Sequence, residues 1–182
     1  MLVMEDDVRF APWHTSTNYL EKTMKELPSD WDMLFLGYYE AANTDKVKKH
    51  SEHLVRPAIP YDLHAYVVNA SMYDRLIEAL EKEFQKPEGE MRAIDVVIAE
   101  DVAPKNNVFA CKDNVAFQDE GYSSIVNHTI KGNYQKEVKK LHDHYETKEL
   151  VTADSLPVMD SLIAGSLFQM AAEMIKVFES IS

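Results

Sequence analysis

The first seven residues constrain the fold most, because an apolar segment runs directly into three carboxylates. Residues 1–4 are all apolar, as in a buried strand, and Glu5, Asp6 and Asp7 follow at once. Charged groups are costly in a core, so the triplet should lie where the strand ends, facing a cleft. Three adjacent carboxylates repel one another, and a divalent cation is their usual neutraliser. A solvated acidic turn is the alternative interpretation of the same residues.

Composition limits the classes of protein to consider. With 182 residues, of which 46% are hydrophobic, the chain can bury one sizeable core and is most simply one domain. A net charge of −12 argues against binding to nucleic acid or to anionic membranes. Cys111 is the single cysteine, which excludes an intrachain disulfide, and its apolar neighbours favour a buried, inert thiol. No secretory signal and no apolar run of about 20 residues is visible, so a cytoplasmic protein without a membrane span is expected.

Strand and helix patterns alternate over the first two thirds of the chain. Apolar runs predict strands at residues 31–37 and 64–69 and within 108–118, whereas helical spacing predicts helices that begin near residues 15–17 and 71. This alternation predicts an α/β fold with a mixed, mostly parallel sheet and flanking helices. The polar, proline-containing residues 40–63 are expected to form a long surface loop over a cleft.

The last 52 residues have a different pattern, so we divide the chain into a domain at 1–130 and a helical tail at 131–182. Residues 131–150 are highly charged, which indicates an exposed helix. After Pro157, apolar residues recur every three to four positions up to Ile181, which predicts a C-terminal amphipathic helix. This helix could pack on the domain, form a homodimer through residues 157–181, or bind another partner.

Five motifs follow one another in a characteristic order. They are LVMEDDV at 2–8, LPSDWDMLFLG at 27–37, AYVVN at 65–69, AID at 93–95 and FQDEGYSSI at 117–125. The set resembles the family-25 glycosyltransferases, which include bacterial lipooligosaccharide galactosyltransferases and the collagen galactosyltransferases. The acidic triplet and the Trp-Asp-x-Leu-x-Leu-Gly strand are the more specific elements, and together the motifs cover about residues 1–125.

The resemblance implies a Rossmann-related GT-A fold and metal-dependent transfer of a hexose, galactose foremost. The donor would be a UDP-sugar and the acceptor a glycan or a hydroxylated group, as in lipopolysaccharide biosynthesis. Mn²⁺ or Mg²⁺ would stabilise the negative charge that develops on the diphosphate leaving group. By this resemblance Asp7 binds the metal, and Glu5 and Asp6 are supporting ligands or contacts to the ribose.

The resemblance also implies roles for later residues. Inverting transfer needs a general base for the acceptor hydroxyl. Asp95 matches that position, with a helix cap as its alternative, and Asp119 is the second candidate, with a solvated loop acid as its alternative. Gln118 falls in a segment near the cofactor-binding cleft, and His128 is a candidate further metal ligand. His64 opens a strand, which favours a structural or cleft-lining role, while the His50–His53 spacing lacks the cysteine partner of a typical zinc site.

The chain departs from the family at its amino end, because family members begin with a strand and helix that precede the acidic triplet. We therefore expect the carboxy-terminal portion of a GT-A fold, with one sheet edge exposed unless the tail covers it. An alternative is a truncated or degenerate relative that binds an acceptor or a partner without catalysis. A third possibility is an acidic α/β scaffold that dimerises through its last helix.

Overall fold

A six-stranded sheet with helices on its faces organises the described part of the chain. The computed structural model describes residues 1–5, 7–11, 13–42, 44–118, 121–123 and 128–130. Asp6, Asp119 and the predicted tail of residues 131–182 lie outside these ranges. Among the described residues, no helix is long and apolar enough to cross a membrane.

The described residues form ten strands, and all but two of these have four residues or fewer. They are β1 (Leu2–Met4), β2 (Val8–Phe10), β3 (Met33–Glu40), β4 (Lys48–Lys49), β5 (Leu54–Arg56), β6 (Pro60–Val68), β7 (Val108–Cys111), β8 (Ala116–Gln118), β9 (Gly121–Ser123) and β10 (His128–Ile130). The α-helices are α1 (Trp13–Glu26), α2 (Tyr73–Phe84) and α3 (Ile94–Val97), and α3 continues into a π-helical turn at Ile98–Val102. Short 3₁₀ turns occupy Thr44–Lys46, Ala70–Met72 and Ala103–Lys105.

The sheet is mixed and mostly antiparallel, so the expectation of a mostly parallel sheet is wrong, although the α/β class is confirmed. The strand order is β1-β6-β3-β7-β5-β4, and β3–β7 is the one parallel pairing within this sheet as described. The physical reason is the route of the chain between β3 and β6. Parallel neighbours need a crossover, usually helical, but here the chain makes the short strands β4 and β5 and returns beside β3 in the opposite direction.

The prediction of a long surface loop at residues 40–63 is also wrong, because this segment contains β4, β5 and the start of β6. Within it, His53 and Leu54 are buried, and Leu54 pairs with Cys111 of β7. Strands of two or three residues are too short to show a period of two, so the sequence pattern does not reveal them.

The central strand β3 separates two apolar cores. Leu34 and Leu36 face the core beneath α1, whereas Met33 and Phe35 face the core beneath α2 and the π-helical turn. All four side chains are fully buried, because both faces of the strand are covered, and this explains the continuous apolar run. Cys111 lies in the α1 core, and burial raises the pKa of its thiol, as expected for an inert cysteine.

Candidate functional site

The first carboxylate of the acidic triplet lies where β1 ends. Met4 pairs with Ala65 of β6, and the Glu5 amide donates to the His64 carbonyl over 3.0 Å. The Glu5 side chain is 45% exposed, and Asp7 is also exposed. Glu5 and Asp7 therefore lie outside the core at the end of an apolar strand, where their oxygens can reach a ligand.

Asp7 is joined to a residue far away in the sequence. The Gln118 side-chain amide donates to Asp7 Oδ2 over 3.0 Å, across a separation of 111 residues. The antiparallel pair β2–β8 brings them together, because Val8 lies opposite Gln118. A side-chain amide that donates to a carboxylate restricts its orientation, and ligand-binding carboxylates are commonly held by hydrogen bonds of this kind.

A glycine explains how β8 reaches this place. A Cβ atom on Gly37 would lie 2.0 Å from the Ala116 carbonyl oxygen, so only glycine permits the observed approach of β8 to β3. The Val115 amide also donates to the Leu36 carbonyl over 2.9 Å, which fixes the start of β8 on β3. The glycine that ends the Trp-Asp-x-Leu-x-Leu-Gly motif therefore helps to place Gln118 beside Asp7.

Asp95 lies in the first turn of α3, half-buried, and contacts β6. Its Oδ1 accepts from the Val96 amide over 2.8 Å, and its Oδ2 accepts from the Asp62 amide over 3.3 Å. The residue at the cap position itself is Ala93, which offers no capping side chain. Asp95 thus stabilises the start of α3 and also presents its carboxylate to the irregular part of β6.

The irregularity in β6 turns Asp62 and His64 towards the same region. The β3–β6 register jumps between the pairs Gly37–Ala65 and Tyr39–Tyr61, and Asp62 has a left-handed φ of 48°. His64 is only 9% exposed, and its Nδ1 atom is buried without a hydrogen-bond partner, 3.5 Å from Glu5 Oε2. β-Bulges of this kind often redirect side chains next to functional sites.

These residues form what we call the Glu5 cluster, which consists of Glu5, Asp62, His64 and Asp95. Partial burial of the otherwise exposed Asp62 raises its pKa; the charge of His64 opposes this shift, and the charges of Asp95 and Glu5 add to it. Because Glu5 and Asp95 act on Asp62 from separate elements, the fold holds like charges close together. Such an arrangement costs stability unless a cation or a hydrogen-bond donor joins it.

The structure does not test the roles predicted for the remaining site residues. His128 begins β10, whose backbone pairs with β9 at Ser123, and its role as a metal ligand stays a prediction. Asp6 and Asp119 lie outside the described residues, so their predicted roles stay predictions as well.

Asp32, within the second motif, has a structural role that the sequence analysis did not predict. Asp32 is 6% exposed, forms an ion pair with Arg75 of α2, and accepts from the Asn107 amide over 2.9 Å. It therefore ties the start of β3 to α2 and to the start of β7. An acid inside an otherwise apolar run was the available signal, since a buried carboxylate needs a partner.

Among the residues that the structure describes, the one group of three potential metal ligands with ligand atoms within 4.8 Å of one another consists of Glu26, Glu52 and His53. Glu26 is already engaged by the Ser51 hydroxyl, by the His53 amide at 2.9 Å and by His53 Nδ1 at 2.5 Å. Although burial opposes it, these hydrogen bonds lower the pKa of Glu26. The group fastens the segment before β5 to α1, so we assign it a structural role.

Comparisons with known proteins return no match, whether to family models, to curated proteins or to solved structures. The assignment of a function therefore depends on the sequence motifs and on the geometry described above.

Proposed function

We propose that this chain carries a GT-A-like domain of the family-25 type and transfers a hexose, galactose foremost, from a UDP-sugar to a glycan or a hydroxylated acceptor. The observation that carries the proposal is the contact between Asp7 and Gln118. Two residues that the family resemblance selects separately, 111 positions apart, lie in hydrogen-bond contact outside the core.

The donor set at this place suits the metal that the proposal requires. Glu5 and Asp7 supply exposed carboxylate oxygens, and such hard oxygen ligands favour Mg²⁺ or Mn²⁺. When bound, the cation would neutralise charge on the donor diphosphate as it leaves. Asp7 would hold the cation, Gln118 would orient Asp7, and Glu5 would add a ligand or contact the ribose.

The acceptor side is assigned to Asp95. Its carboxylate would accept the proton of the acceptor hydroxyl as the oxygen bonds to the anomeric carbon and the bond to the diphosphate breaks. Asp95 is half-buried in α3 and accepts from the Asp62 amide of β6. The same strand carries His64, which lies next to Glu5. Asp119 is the second candidate for the base.

Calorimetric titration with UDP tests the proposal, with and without Mn²⁺. Wild type should bind UDP only when the metal is present, and Asp7→Asn should weaken this binding, because one anionic ligand oxygen is lost. Glu88→Gln, which changes an exposed carboxylate on the loop after α2, is the matched control and should bind as wild type does.

A folded wild type that shows no metal-dependent binding would contradict the proposal. The chain would then be better described as a degenerate relative that acts as a non-catalytic binding or dimerising module. Sedimentation of the full chain would test the dimer directly.

A further inference from the structure

His64 combines burial with an unmet hydrogen-bonding need. It is 9% exposed, and its Nδ1 atom has no hydrogen-bond partner although it is shielded from solvent. A buried polar atom without a partner costs free energy, so its persistence calls for an explanation. A histidine that only fills space in a core normally has its ring nitrogens hydrogen-bonded, and His64 Nδ1 does not.

The nearest described carboxylate to this atom is that of Glu5. Its Oε2 lies 3.5 Å from His64 Nδ1, which is longer than a normal N–H···O hydrogen bond of about 2.7–3.2 Å. The backbones are already fixed, because the Glu5 amide donates to the His64 carbonyl at 3.0 Å. A small rotation of the Glu5 side chain would therefore complete the bond without moving either strand.

The other carboxylates of the Glu5 cluster explain why the hydrogen bond between Glu5 and His64 Nδ1 is not formed. Asp62 and Asp95 add negative charge in the same region, and the charges of Glu5 and Asp95 both act on Asp62. Repulsion among carboxylates opposes drawing Glu5 inward. A cation that neutralises the region would remove this repulsion and allow Glu5 to approach Nδ1.

We propose that His64 is a positioning residue for Glu5: when the metal–nucleotide donor binds, the Nδ1–H group of His64 donates to Glu5 and fixes its other carboxylate oxygen towards the cation. This inference depends on the proposed function and deepens it, because it makes Glu5 a direct ligand of the cation. Outer hydrogen bonds of this kind are typically worth about 10- to 100-fold in metal affinity.

Three substitutions separate positioning from mere packing. His64→Leu removes both ring nitrogens, His64→Asn keeps a polar nitrogen near the Nδ1 position, and His64→Gln places it near Nε2. We expect the dissociation constant for UDP in the presence of Mn²⁺ to rise about 10- to 100-fold in His64→Leu and in His64→Gln. His64→Asn should restore most of the loss. A purely structural role would show no such dependence on the position of the nitrogen.

The matched control is His53→Asn, which alters another buried histidine paired with a glutamate. His53 precedes β5, and two strands, β3 and β7, separate β5 from β6 in the sheet. With strands about 4.8 Å apart, this control lies roughly 14 Å from the His64 strand. It should lower the melting temperature and leave UDP binding unchanged.

A double-mutant cycle with Glu5→Gln completes the test. If His64 acts through Glu5, His64→Leu should cause no further loss of affinity in the Glu5→Gln background. Additive losses, or wild-type affinity in folded His64→Leu, would overturn the inference and leave the proposed function intact. Absence of metal-dependent UDP binding by the wild type would overturn both.

Discussion

The side-chain amide of Gln118 donates to the carboxylate of Asp7 over 3.0 Å, and thereby connects the end of β8 with the residue that precedes β2. The bond matters because Asp7 is exposed and would otherwise be free to rotate. An oriented carboxylate pays less entropy when it binds a cation, which favours tight binding. The contact therefore links the topology of β8 to the chemistry proposed for the site.

Gln118→Ala should weaken metal-dependent UDP binding while leaving the fold intact. The loss should be about tenfold, the lower end of the effect of a lost outer hydrogen bond on metal affinity. Gln85→Ala, at the exposed C-terminal end of α2, is the control and should have no effect. Calorimetric titration of both variants makes the comparison, and equal affinities would argue against an orienting role for Gln118.

Gly37→Ala should disturb both stability and the site, because its Cβ would meet the Ala116 carbonyl oxygen at 2.0 Å. We expect an unfolding free energy lower by about 1–3 kcal/mol, the usual cost of overpacking, with weaker UDP binding as β8 shifts. Gly89→Ala is the control, since Gly89 has a φ of 90° but no atom near its missing Cβ. Urea unfolding should show destabilisation in both variants, and only Gly37→Ala should change binding.

Asp32→Ala should destabilise the protein without a specific effect on the site. It removes the ion pair with Arg75 and leaves the Asn107 amide without its acceptor. The cost should be about 1–3 kcal/mol, as for a buried group left unsatisfied. Arg75→Ala should cost less, because the Arg75 side chain is 48% exposed and its partner keeps the Asn107 bond. Urea unfolding of both variants measures the two losses of unfolding free energy. A larger loss in Arg75→Ala than in Asp32→Ala would contradict this prediction.

The Glu83–Arg92 pair predicts a loss of stability in acid. Hydrogen bonds from Arg92 and then Lys86 lower the pKa of Glu83 from 4.5 to about 2. Because the folded pKa is the lower one, this stabilisation is full above pH 4.5 and is lost as the pH falls towards 2. Glu83→Gln should therefore flatten the decline of the unfolding free energy between pH 5 and about pH 3, measured with urea.

The exposed carboxylate of Glu88 supplies the control for this pH dependence. Glu88→Gln should follow the wild-type curve, because Glu88 is exposed on the loop after α2. An unchanged acid slope in Glu83→Gln would show that other carboxylates dominate the acid response.

The parts of the fold that sequence patterns predicted are the segments that carry enough residues to show a period. The apolar run at residues 31–37 became β3, and the helical spacing around Leu20 and Met24 became α1. Strand direction was not predictable in this way, because an apolar run reports burial and carries no information about which way its neighbours run. The short strands β4 and β5 were not predicted, because they have only two and three residues.

The candidate site was predictable only in part, for a similar reason. The acidic triplet and Gln118 could be selected from their order along the chain, and the structure brings Asp7 and Gln118 together. His64 and Asp62 owe their positions to an irregularity in β6, which depends on the pairing with β3. No local sequence pattern indicates such an irregularity, so Asp62 was not selected, and His64 was predicted to be structural or to line the cleft.

The most direct test of the account is release of UDP from UDP-galactose, measured with water as the acceptor so that the natural acceptor need not be known. We predict slow release by the wild type that requires Mn²⁺, stops on addition of EDTA, and falls at least tenfold in Asp7→Asn, in keeping with the loss of a metal ligand. Glu88→Gln should match the wild type. Release that is absent from the folded wild type, or that proceeds equally in Asp7→Asn, would contradict the claim that this chain is a metal-dependent hexosyltransferase.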